Sequence, residues 1–203
     1  MARQRPIISL LVLTAVVIIT ALVVLKRHCP QQGIAFSQEM REFHRLKNRT
    51  ALPQQADFDE KVTLLGILQP GEDSARWSTS RSGRLEGYVV SIGKAGIELT
   101  NCYLPCSRDI HINLALRPDA PSREQAVLEI TPRMADWAKS QGRDWSEMAL
   151  KQLLLGHWCY FEGWLFFDWT HVGEAENTAP GRQGNWRATA WEIHPVTNFG
   201  VIR

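Results

Sequence analysis

Residues 109–131 read DIHINLALRPDAPSREQAVLEIT, and the way this stretch divides sets the expected fold. Ile110, Ile112, Leu114 and Leu116 alternate with Asp109, His111 and Asn113. Alternation of this kind puts the apolar residues on one face of a strand and the polar residues on the other. Residues 117–123 carry Pro118 and Pro121 and form a hairpin loop. Ala126–Thr131 (AVLEIT) is the next strand, ended by Pro132.

Upstream, Arg84–Ile92 (RLEGYVVSI) has strand character, with Gly87 marking a bulge or sharp bend. Gly93–Gly96 is a turn from which Ile97–Leu99 returns. Downstream, Trp145–Leu155 (WSEMALKQLLL) is a helix, capped by Ser146 and followed by Gly156. His157–Asp168 (HWCYFEGWLFFD) is a long aromatic strand, and 170–185 a polar loop. Trp186–His194 (WRATAWEIH) is the last long strand, which Val196–Ile202 continues. Three strands, a helix and two strands make the expected class mainly β. The expected architecture is an OB-like five-stranded barrel with one helix between strands 3 and 4.

The N-terminus is of a different kind. Ile7–Leu25 (IISLLVLTAVVIITALVVL) carries no charge, with Arg3, Arg5, Lys26 and Arg27 at its flanks. As a helix it reaches about 28 Å, close to the thickness of a bilayer's hydrocarbon core. A core helix of a soluble domain rarely lacks a polar face. A cleaved signal peptide has a shorter apolar region ending at a small-x-small site, whereas this run ends in Leu25-Lys26-Arg27-His28. The expectation is an uncleaved signal-anchor, a single transmembrane helix. Lys26, Arg27 and His28 before Cys29 are not the small and aliphatic residues of a lipidation site.

The expected organisation is therefore an anchor at 1–28, a juxtamembrane linker with helical segments at 29–83, and the barrel at 84–203. Within the linker, Phe36–Leu46 has helical spacing, 57–68 reads more as helix than strand, and 69–83 reads as loop.

The chain has 203 residues, 44% hydrophobic and 22% charged, enough apolar material for a core beside the anchor. The net charge of +2 does not point to nucleic acid. OB folds bind nucleic acid through aromatic platforms in basic grooves, but the aromatics here sit in apolar strand patterns. The membrane is the expected partner, through Ile7–Leu25.

For orientation, Arg3 and Arg5 favour an internal N-terminus. Lys26, Arg27, Arg41, Arg45, Lys47 and Arg49 argue the reverse. Cys102, Cys106 and Cys159 are candidates for disulfides, which persist outside the cytoplasm. A zinc site from Cys102 and Cys106 lacks a matching second pair. The expected location is the inner membrane, with the domain on the periplasmic or extracellular side.

Seven ionisable residues fall where strands should be buried or half-buried: Asp109, His111, Glu129, Asp168, His171, Glu192 and His194. Three readings compete. They form a satisfied hydrogen-bond network that fixes register and loops. Alternatively, His111, His171 and His194 with Glu192 or Glu129 hold a divalent metal, Zn or Mn. In the third reading, His194 with Glu192 or Glu129 does acid–base work without metal, although residues two apart on a strand do not ordinarily meet. No motif specifies a reaction. The leading expectation is a tethered, non-enzymatic module that binds a ligand or protein partner; the alternative is a metal-dependent hydrolase using the His/carboxylate set.

The segments GYVVSIG, RDIHINLAL, EITPRM, GWLFFDWTH and, after AENTAPG, GNWRATAWEIHPVT resemble a family of uncharacterised bacterial proteins. Those proteins are exported or membrane-anchored and carry an OB-like domain. The resemblance covers roughly residues 58–201, and its last motif is the most specific. A looser similarity extends to secreted proteins with D-x-H and E-x-HPV segments. The resemblance implies an external location and no established activity or cofactor. Its characteristic residues correspond here to Asp109, His111, Glu129, Asp168, His171, Glu192 and His194.

Overall fold

The computed structural model describes residues 4–202. Helix α1 spans Gln4–His28, so the apolar run 7–25 is helical along its length. Arg3, and the side chains of 4–10, 22–23 and 25–27, lie outside the described residues. That excludes both charged flanks and both ends of the apolar run. Among the described residues no helix is long and apolar enough to cross a membrane. The described part of α1 carries exposed Leu11, Val12, Leu13, Val16, Val17, Ile18, Ile19 and Val24.

Just past α1, Cys29 is disulfide-bonded to Cys102. The other two sequence candidates are thiols, Cys106 exposed and Cys159 buried. Cys102 therefore pairs across 73 residues of chain rather than with its neighbour Cys106, and it fastens the end of α1 to the loop that leads into the second strand.

The segment 29–83, expected as a linker, packs on the barrel. Helix α2 (Gln38–Lys47) starts where the Ser37 hydroxyl accepts from the Met40 N–H, an N-cap that satisfies one free backbone donor. Its residues Phe43, His44 and Lys47 are buried. The only α-helix in the stretch 57–68 is the short α3 (Leu64–Ile67), capped by Thr63. Val62, Leu64 and Ile67 join the barrel's core cluster.

Five strands follow: β1 (Ser82–Lys94), β2 (Ile110–Ala115), β3 (Ala126–Ile130), β4 (Trp158–Phe167) and β5 (Trp191–Val201). They close into a barrel in the order β1-β2-β3-β5-β4. The length of β1 allows closure. Its first half pairs with β4, from Ser82↔Trp164 to Tyr88↔Trp158, and its second half with β2, from Tyr88↔Ala115 to Lys94↔Ile110. A short parallel pairing, Val127↔Glu192 and Leu128↔Ile193, joins β3 to β5. Leu85, Val89, Ile112, Leu114, Leu128, Ile130, Phe161, Leu165 and Ile193 are among the residues of the interior.

Two helices, not one, lie between β3 and β4: α4 (Pro132–Ser140) and α5 (Glu147–Leu154). Pro132 ends the strand as expected but also begins α4. The Thr131 hydroxyl accepts from the Met134 N–H, and proline at the first helical position needs no donor there. Met134, Ala138, Trp145, Leu150 and Leu154 belong to the barrel core cluster.

Gly87 is not at the bulge, since the register shift of β1 falls between Val89 and Ser91. A Cβ at Gly87 would lie 2.4 Å from Leu64 Cδ2 and 2.8 Å from the Ala115 carbonyl, so the glycine permits close approach of α3. β1 also runs through Gly93 to Lys94, and 97–99 adds no strand. β5 begins at Trp191, five residues later than expected. Before it, the Arg187 and Thr189 side chains are drawn inward to buried partners.

Candidate functional site

The alternation in β2, β3 and β5 determines where the polar residues go. Ile110, Ile112, Ala126, Leu128, Ile130, Trp191 and Ile193 face the barrel core. Asp109, His111, Glu129, Glu192 and His194 therefore share the opposite, outer face of the sheet. That face is not left to solvent: Asp109, Glu129, Glu192 and His194 are all buried. Lys47, from the last turn of α2, is buried among the same charges.

Strand register brings the groups together. His111 lies directly opposite Glu129, with its Nε2 2.7 Å from Glu129 Oε1. The other oxygen of Glu129 is 3.4 Å from His194 Nδ1. The same Nδ1 is 3.0 Å from Glu192 Oε2, so Glu192 and His194 do meet although they are two apart on one strand. Both side chains lie on the same buried face. His194 Nε2 points the other way, 4.0 Å from Asp109 Oδ2. The second carboxylate oxygen of Asp109 accepts from Asn101 Nδ2 at 3.1 Å. Arg187, fully buried, donates to Glu192 at 2.6 Å and to the Thr189 carbonyl at 2.7 Å.

Asp168 and His171 form a neighbouring group rather than part of this one. Lys47 reaches Asp168 at 3.4 Å and Glu98 at 3.0 Å. Asp168 also accepts from the Thr170 N–H and hydroxyl. His171 contacts Glu174 at 2.8 Å and lies 4.0 Å from Asp168. Glu174 accepts from the Trp186 indole at 2.7 Å, and the Trp186 ring stacks on His111. His111 and His171 are the partly exposed members.

Electrostatics follow from burial and pairing. Burial alone would raise Glu129, but His111, His194 and Lys47 hold it well below the usual carboxylate range. His111, which burial would lower, is raised to about 9 by Glu129. His194 is raised despite burial, by Glu129 and Glu192. Asp109 moves the other way: burial and the Glu129 charge raise it to about 7. Lys47 would be lowered by burial but is held well above its usual value by Glu129, Asp168, Glu98 and Glu192.

Among the described residues, Asp109, Glu129 and His194 offer ligand-type atoms that all lie within 4.8 Å of one another. This set differs from the metal candidates read from sequence. His171 lies with Asp168 and Glu174, His111 braces the far oxygen of Glu129, and Glu192 holds the back of the His194 ring. Sequence reading placed Asp109 and Glu129 in the polar site but did not single them out as a ligand pair. It also passed over Lys47, Glu98, Asn101 and Asp73. Asp73 accepts from Thr189, Asn177 and, at its carbonyl, Trp191. A groove of about 660 Å³ opens elsewhere, where residues 55–65 meet β1 and β4; none of the seven predicted site residues lines it. No protein-family model, no curated protein and no solved structure matches the chain.

Proposed function

We propose that the chain is a membrane-anchored, extracytoplasmic OB-like module that binds a ligand or protein partner and is not a hydrolase. One observation carries the reading: the Cys29–Cys102 disulfide begins one residue beyond the apolar helix. A stable disulfide belongs to an oxidising compartment, and this one lies immediately beside the run 7–25. The apolar run itself, 19 uncharged residues by sequence, supports the anchor. The barrel order, with helices between β3 and β4, supports the OB-like class. The resemblance to exported bacterial proteins is consistent with both.

The hydrolase alternative requires substrate to reach a general base or a metal-bound water. Asp109, Glu129 and His194 are only 0–1% exposed, and the partly exposed His111 and His171 are paired with Glu129 and Glu174, an arrangement that favours a structural charge network over an open site.

The test is protease access in cells expressing the full chain. The anchor should resist alkaline carbonate extraction, and protease added to spheroplasts should remove the domain beyond residue 29 without lysis. A domain protected until lysis, or a chain released by carbonate, contradicts the proposal.

A further inference from the structure

We infer that Asp109, Glu129 and His194 form a buried binding site for one divalent cation of the Zn or Mn type, which ties the β2, β3 and β5 side of the barrel together beneath α2.

The first observation is which atoms lack partners. Asp109 Oδ2, Glu129 Oε2 and His194 Nε2 are buried and make no hydrogen bond. Buried polar atoms are normally satisfied, yet these three belong to residues whose ligand atoms gather within 4.8 Å. Their other polar atoms are occupied: Asp109 Oδ1 by Asn101, Glu129 Oε1 by His111, and His194 Nδ1 by Glu192. Each residue is thus held from behind with one atom that makes no hydrogen bond, Glu129 Oε2 standing 3.4 Å from His194 Nδ1.

The second observation is the arrangement at His194. A carboxylate on one ring nitrogen fixes the tautomer and directs the other nitrogen's lone pair outward, the usual support for a metal-bound imidazole. Glu192 plays that part and is itself paired to Arg187, so the support is neutral overall. The third observation is charge. Lys47 is shared between Asp168 and Glu98 and Arg187 is taken by Glu192. Among the described residues neither Asp109 nor Glu129 has a Lys or Arg ion-pair partner; the positive groups beside them are the imidazoles of His111 and His194. A divalent ion balances two carboxylates, and a mixed nitrogen and oxygen set suits Zn or Mn. Metal–ligand bonds of about 2.0–2.2 Å place ligand atoms roughly 3–4 Å apart, within a small side-chain rotation of the distances observed.

Asp109 enters β2 from the loop that carries the disulfide, Glu129 is the penultimate residue of β3, and His194 is in β5. The site therefore ties three elements beneath α2. It is independent of the membrane topology proposed above, and its failure would leave that proposal standing.

The test uses the full chain in detergent. After purification without chelator, elemental analysis should find one Zn or Mn per chain. Stripping with chelator should lower Tm, and adding back Zn²⁺ or Mn²⁺ should restore it. Asp109→Asn keeps the side-chain shape and the Asn101 contact but should weaken metal binding at least tenfold and abolish the metal-dependent rise in Tm. X-ray absorption on the wild type should show an oxygen-rich shell with one imidazole, a readout that needs no variant. A folded wild type with no metal and no metal-dependent Tm, full binding retained by Asp109→Asn, or a shell of sulfur or several imidazoles would each overturn the site. The first of these outcomes would mean that protons, not a metal, balance the cluster.

Discussion

Replacing Lys47 by Met exposes how the outer face of the barrel is held. The Lys47 amine is buried against Asp168 at 3.4 Å and Glu98 at 3.0 Å. Removing one partner of a buried ion pair costs roughly 3–5 kcal/mol, because the other charge stays buried. Here Asp168 keeps the Thr170 N–H and hydroxyl, and Glu98 is about a quarter exposed and regains water. The expected loss is therefore near the low end, about 3 kcal/mol. For a chain of this size that lowers Tm by roughly 6–12 °C, measurable by tryptophan fluorescence.

The pH dependence carries a sign. In the wild type, burial would raise Asp168, but Lys47, His171, Thr170 and Arg187 hold it below its ordinary value. That contribution is complete above the unfolded pKa of about 3.9 and disappears as pH falls through the lower folded value. In Lys47→Met the largest opposing charge is gone and burial pushes Asp168 upward, so protonation relieves it. The deficit relative to wild type should shrink as pH falls through the raised Asp168 value, and Asp168→Asn in the same chain should recover most of it. A variant within 1 kcal/mol of wild type at pH 7, or a deficit that grows on acidification, would refute this account of the buried pair.

Four further outcomes follow from the structure. Arg187→Met leaves Glu192 buried with only His194 beside it and should cost about 3 kcal/mol in chemical denaturation, the low end for a broken buried pair, with Glu192→Gln in the same chain restoring a large part. Gly163→Ala would place a Cβ 2.3 Å from the Pro195 carbonyl and 2.7 Å from Ile193 Cγ2, costing about 1–3 kcal/mol. Gly93→Ala, with nothing within 4 Å, should stay within about 0.5 kcal/mol of wild type by the same melt. Cys29→Ser opens a link across 73 residues and should cost about 2–4 kcal/mol under oxidising conditions, a difference that vanishes when both proteins are reduced.

Alternation made β2 legible in DIHINLAL, while β3 and β4 were legible as short apolar or aromatic runs, AVLEIT bounded by Pro132 and HWCYFEGWLFFD by the polar loop after Asp168. The sequence also put Asp109 with His111 on one strand face and Glu192 with His194 on another, with Glu129 mid-strand. What it could not show is that these faces are covered. The cover comes from α2 and from loops more than a hundred residues away, so Lys47 read only as a flanking charge, and Asp73 read as part of a polar loop. Helix α4 carried a local signal, Thr131 followed by Pro132, that also fits the end of a strand. The start of β5 was misplaced because the alternating residues before Trp191 turn inward to ion pairs and hydroxyl contacts instead of extending a ladder. The Cys29–Cys102 pairing depends on where the end of α1 meets the barrel, which spacing does not encode.

The most direct test of the account is the thiol state of the chain in intact cells. After acid quenching, a maleimide of known mass should add to two of the four cysteines before reduction and to all four after it. Cys29→Ser should raise the first count by one, through the release of Cys102. Four reactive thiols without reduction would place the domain in a reducing compartment and contradict an extracytoplasmic barrel stapled to its anchor.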